Sequence, residues 1–148
     1  TEFFLRDSKG IEIRSFQLGA VRNMLNKDKK AEWIRLEKWL KTIKPRKKLI
    51  GIGGNIRSFL ESQNKKELSA KELNKKMKEF SILSTQEKIL KYQFSPDRAD
   101  VIDHALNIFN FISEHLGVEA ITSTKWGISD SIGVKLFHEI YSNKINIS

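Results

Sequence analysis

Apolar positions along the chain change period several times, and each change marks an element. Glu2-Phe3-Phe4-Leu5 and Ile11-Glu12-Ile13-Arg14-Ser15-Phe16 flank a polar stretch from Arg6 to Gly10. The alternation of Ile11 and Ile13 across Gly10 predicts a β-hairpin. From Ala31 to Lys44, Trp33, Leu36, Trp39, Leu40 and Ile43 recur at three and four residues, a helical core stripe that Pro45 stops. Lys47 to Ile52 reads as a strand, Gly53-Gly54 as a tight turn, and Asn55 as the N-cap of a helix to about Ser62.

Gln63 to Lys66 reads as an exposed loop. Ser69 with Glu72, and Ser84 with Glu87, have capping-box spacing, so a helix should start at each, the first turning Leu73, Met77 and Phe80 inward. Ser95-Pro96 pairs a capping hydroxyl with a proline suited to the first helical turn. Val101, Ile102, Ala105, Ile108, Phe109, Ile112 and Leu116 then mark a long central helix ended by Gly117. Val118 to Ser123 reads as a strand, Trp126-Gly127 as a turn, and Ile132, Leu136, Phe137 and Ile140 as the apolar face of a terminal helix. A hairpin followed by helix–strand–helix units implies an α/β fold, a mixed sheet with flanking helices. Nothing divides the chain, so one domain over residues 1–148 is expected.

Composition narrows the function. At 148 residues and 39% hydrophobic, the chain is long enough to bury most of its unfolded surface. No apolar run approaches the roughly 20 residues that cross a bilayer, and the start lacks a secretory pattern, so a cytoplasmic protein without a membrane partner is expected. The absence of cysteine excludes disulfides, thiol nucleophiles and cysteine-bound metals. Thr1 opens directly into a β-like run, which suggests a piece of something longer. The net charge of +9 favours phosphates or acidic surfaces, but no nucleic-acid motif or aromatic stacking platform accompanies it. Nucleic acid is therefore not the expected partner.

Two glycine turns, Gly53-Gly54-Asn55 and Gly127-Ile128-Ser129-Asp130, each leave the carboxyl end of a predicted strand and open a helix. Ligands of open α/β sheets sit at that edge, and unpaired N–H groups at a helix start suit phosphate oxygens. For either turn alone, glycine's freedom to turn is reason enough for its presence. Arg57 is the cation best placed to reach a phosphate at the first turn. His104, His115 and His138 lack ligand spacing, and Asp97, Asp100 and Asp103 read as charges offsetting a helix dipole, so no metal site is expected within the chain.

Together these segments resemble the second half of the exopolyphosphatase and guanosine pentaphosphate phosphohydrolase family, whose fold is actin-like, related to ribonuclease H. Thr1-Glu2 resembles the end of the family's Asp-x-Gly-Gly-Gly-Ser-Thr-Glu phosphate loop, and Ser15 to Val21 its Ser-x-x-x-Gly segment. Ile50 to Arg57 resembles the Gly-Gly-Thr turn, Arg98-Ala99-Asp100 the Arg-Ala-Asp that opens the long helix, and Trp126 to Ile132 the Gly-Leu-Arg-Glu-Gly turn. Ser129 stands where the family has an arginine, Ser131 where it has a glycine, and Asn55 where it has a threonine.

The resemblance implies a parent phosphohydrolase that removes terminal phosphate from inorganic polyphosphate or guanosine pentaphosphate with magnesium, in a cleft between two halves. A homodimer is compatible with it. The present half would contribute Gly53, Gly54, Asn55, Arg57, Gly127, Ser129 and Asp130 to phosphate binding and no catalytic group, with Asp130 capping its helix or holding a magnesium-bound water. It would be inert alone. The departure at Ser129 keeps open a noncatalytic domain that binds a polyanion or nucleotide, or regulates a partner, because serine cannot replace a bidentate arginine.

Overall fold

A computed structural model describes residues 1–8 and 10–145 of the chain; Lys9, in the expected hairpin turn, and residues 146–148 lie outside it. The first two strands, β1 (Glu2–Asp7) and β2 (Gly10–Ser15), pair antiparallel. Gly10 has φ +124, a conformation costly for any residue with a Cβ. Phe4 faces Ile13 and Arg6 faces Ile11 on the outer side, while Phe3 turns inward against Phe16 and Trp39.

A second, three-stranded sheet contains β3 (Lys48–Gly51), β4 (Glu67–Ser69) and β5 (Ala120–Ser123) in the order β3-β5-β4. β3 runs parallel to β5 and β4 antiparallel to it. The mixed α/β character holds, but the hairpin pairs only with itself among the described residues and forms a separate sheet. β4 follows the stretch expected to be a loop. Three residues are too short to show a period; Leu68 becomes a strand position because it is buried beside β5, where Thr122 also bonds Lys66 O and Lys48 pairs with Glu67.

Seven helices complete the described chain: α1 (Ala20–Met24), α2 (Lys30–Leu40), α3 (Gly54–Ser62), α4 (Ala70–Ser81), α5 (Thr85–Tyr92), α6 (Pro96–Leu116) and α7 (Ile128–Ile145). The α2 stripe packs as its spacing requires, with Leu36 and Leu40 fully buried. Both capping boxes form: Ser69 and Ser84 accept from the amides of Glu72 and Glu87, and each glutamate reaches back to the serine's N–H.

α6 is the hub, touching α1, α2, α3, α4 and α5. Its buried positions include Ile102, Leu106, Ile108 and Ile112, and Gly117 ends it in the left-handed conformation. One expected detail differs: the Ser95 side chain makes no capping bond. Asp97 stands in the first turn, where the Ser95 hydroxyl and the N–H groups of the helix start hold its carboxyl below the usual aspartate value. Lys88, almost wholly buried, reaches Asp103 at 3.0 Å and locks α5 onto α6. The apolar residues of α7 do not form a packed face; its described side chains from Ser129 to Tyr141 are all exposed. Among the described residues, no helix is long and apolar enough to cross a membrane.

Candidate functional site

The site is built on the parallel pair β3 and β5. Gly51 is level with Ser123, and Thr124 donates its N–H to Gly51 O at 3.2 Å, so the two glycine turns leave neighbouring strand ends side by side. The strand–turn–helix order expected at each turn is present, and the pairing of β3 with β5 adds their adjacency.

The first turn is shaped by what lies over it. A Cβ on Gly51 would come within 2.9 Å of Phe109 and 2.5 Å of Ile56. Gly53 has φ +123 and occupies the N-cap of α3, with no side-chain cap bond. Asn55 is therefore not the N-cap: it lies within the first helical turn, because the left-handed φ available at glycine starts the helix earlier. Its Oδ1 accepts from Arg98 Nη1 at 2.7 Å. Gly54 is needed for that contact, since a Cβ there would stand 2.5 Å from the same guanidinium nitrogen. A glycine, an amide and an arginine from the next long helix thus form one unit.

The second turn is closed on itself. Asp130 accepts the Gly127 N–H at 2.6 Å, Ser131 Oγ bonds Gly127 O at 3.2 Å, and Trp126 N–H donates to Thr124 Oγ1 at 3.0 Å. This capping role places a carboxylate on the amide that a phosphate oxygen would need. Ser129 is exposed. Arg57 bonds Lys125 O at 3.2 Å, so the guanidinium expected at a phosphate of the first turn ties α3 to the strand end leading into the second. Beside it Ile52, Trp126 and Ile132 border a shallow apolar hollow of about 310 Å³.

Among the described residues, no three His, Asp or Glu side chains come together to hold a metal ion. The Asp130 carboxylate is engaged by the Gly127 N–H. Arg98 is the site residue that residue-by-residue reading missed: it lies 43 positions from Asn55, and only its place in the Arg-Ala-Asp resemblance marked it.

Known family models and curated proteins give no match to the chain. Solved structures do. An Aquifex aeolicus Ppx/GppA phosphatase, in its type II variant, is 21% identical with a TM-score of 0.72, over 90% of this chain and 52% of that one. Another structure of the Aquifex aeolicus family member is 21% identical with a TM-score of 0.74, over 95% and 53%. An exopolyphosphatase from Cytophaga hutchinsonii is 17% identical with a TM-score of 0.70, over 91% and 53%. The chain spans about half the length of these proteins, and over that half it has the actin-like α/β fold of the Ppx/GppA phosphatases.

Proposed function

We propose that the chain is the second half of a phosphohydrolase of the exopolyphosphatase and guanosine pentaphosphate phosphohydrolase family, acting on polyphosphate or guanosine pentaphosphate in a cleft shared with a first half. The observation that carries the reading is the side-by-side exit of two glycine turns from β3 and β5, one of them opening a helix without a side-chain cap. The fold likeness supports it.

In this reading the first turn does the binding. The amides that start α3 are at the positive end of its dipole and suit phosphate oxygens. Gly53 and Gly54 let an oxyanion approach the backbone, while Arg98, fixed on Asn55, adds positive charge beside the turn. The second turn orients by repulsion: Asp130 keeps negative oxygens off Gly127. Phosphoryl transfer needs mainly positioning and charge neutralisation. This half supplies positioning, the other the group that activates water, so the chain alone is inert. No magnesium ligand set is assigned within this half.

A second reading is favoured by one specific feature. Ser129 in the arginine's place, next to Asp130, leaves the second turn without positive charge. A domain of this kind would hold a polyanion or nucleotide without hydrolysing it.

Phosphate release from polyphosphate and guanosine pentaphosphate, with and without magnesium, tests both. The parent protein should release phosphate and the 148-residue chain alone should not. A folded parent that binds polyphosphate but releases none would replace the enzyme with the binding module.

A further inference from the structure

We propose that a second anion site lies behind the first glycine turn, an open cavity of about 470 Å³ that takes a phosphorylated small molecule and is joined to the turn through Arg98. Its size suits a small ligand, for which pockets of roughly 300–1,000 Å³ are usual. One wall is α3, through Ser58, Glu61 and Ser62; the opposite wall is the junction of α5 and α6, through Lys91, Tyr92 and Arg98. The chemistry is mixed in a particular way. Two cations face serine hydroxyls and one carboxylate, which together fit a phosphate attached to a group bearing hydroxyls, the carboxylate of Glu61 accepting from one of them.

Two observations separate this cavity from an ordinary charged surface. Lys91 rests over the Tyr92 ring, its Nζ 5.3 Å from the centroid, which holds the stem of the side chain at the cavity wall. Arg98 lines the cavity and at the same time covers Gly54 and bonds Asn55. The start of α6 is not the anion binder, because the Asp97 carboxylate stands in its first turn. The site rests on the side chains of Lys91 and Arg98.

A guanidinium has five N–H donors and can hold Asn55 and a phosphate together. A ligand in the cavity therefore alters the hold that Arg98 has on the turn. Binding stands without the phosphatase reading; an effect on hydrolysis would rest on it.

The test is a titration of the isotopically labelled chain with inorganic phosphate and with glycerol 3-phosphate at constant ionic strength, followed by NMR. Saturable shifts are expected at Ser58, Ser62 and Lys91, and through Arg98 at Gly53 to Asn55. Lys91→Glu should weaken glycerol 3-phosphate about tenfold, the loss of one charge-assisted contact, while the signals of the α6 core stay in place. Glu61→Gln should tighten inorganic phosphate and remove the preference for glycerol 3-phosphate. Shifts confined to Gly53–Asn55 and indifferent to Lys91→Glu would leave the turn as the anion site and overturn the cavity. Absence of binding, or shifts that never saturate and spread over the surface lysines, would overturn it equally.

Discussion

Two long helices of this chain, α6 with 21 residues and α7 with 18, are both rich in apolar side chains yet are treated in opposite ways by the fold. α6 buries Ile102, Leu106, Ile108, Ile112 and Leu116 beneath five other helices. α7 leaves Ile132, Val134, Leu136, Phe137, Ile140 and Tyr141 exposed. At about 100° per residue, these six occupy more than half of the α7 circumference instead of one stripe. Apolar periodicity states that a face is to be covered without stating what covers it, and for α7 the described residues do not supply the cover.

The comparison can be broken most forcefully in the two helices themselves. Leu106→Ala removes a fully buried side chain from the hub and should cost about 2–5 kcal/mol. Leu136→Ala in α7 should change the stability of this chain by less than about 0.5 kcal/mol. Urea unfolding of both variants checks the contrast. Equal losses would mean that α7 is packed in solution.

A smaller effect is expected at Lys88, whose side chain is 5% exposed against Asp103 at 24%. Lys88→Ala leaves that carboxylate half out of water without its partner. A loss of about 2–3 kcal/mol is expected, below the roughly 3–5 of a fully buried pair because Asp103 keeps some hydration. Lys88→Met keeps the packing of the stem, so combined with Asp103→Leu it should recover most of the loss. Recovery would show that α5 is held to α6 by burial and that the charge pair mainly fixes how the helices meet. Lys135 and Glu139 on α7 offer the contrast: that pair is well exposed, and Lys135→Ala should be silent in unfolding.

The same division explains what the sequence made legible. Elements with local causes were readable: the α2 stripe, the capping boxes at Ser69 and Ser84, and the Pro96-to-Gly117 bounds of α6 each depend on residues within a turn or two. The strand–turn–helix order at each glycine turn was readable too, but their side-by-side placement depends on the pairing of β3 with β5. Features with distant partners were not. β4 exists because β5 lies beside it, Asn55 is held by Arg98, and Arg57 turns to Lys125 across the sheet edge. Ser95 makes no capping bond, and the carboxylate that offsets the dipole in that first turn is Asp97. Separate sheets for the hairpin and the β3-β5-β4 layer likewise depend on pairing that no local pattern encodes.

The mildest test concerns the caps, where the packed body and the exposed helix can be compared at one chemistry. In the body, the Lys65 ammonium, then the N–H and hydroxyl of Ser69, hold Glu72 down to about 2 from its usual 4.5. A carboxyl depressed on folding adds stability that is complete above its usual value and is lost as pH falls through the folded value. The Glu72 contribution should therefore fade between pH 4.5 and about 2, and Glu72→Gln should flatten that part of the pH–stability curve. Ser69→Ala removes the accepting half of the same box and should cost about 1 kcal/mol at neutral pH. On α7, Asp130 makes the corresponding reach to the Gly127 N–H. Asp130→Asn should leave the unfolding midpoint unchanged, because a helix start that is not packed against the body can fray without unfolding it. A midpoint that drops as far for Asp130→Asn as for Ser69→Ala would make α7 part of the cooperative unit.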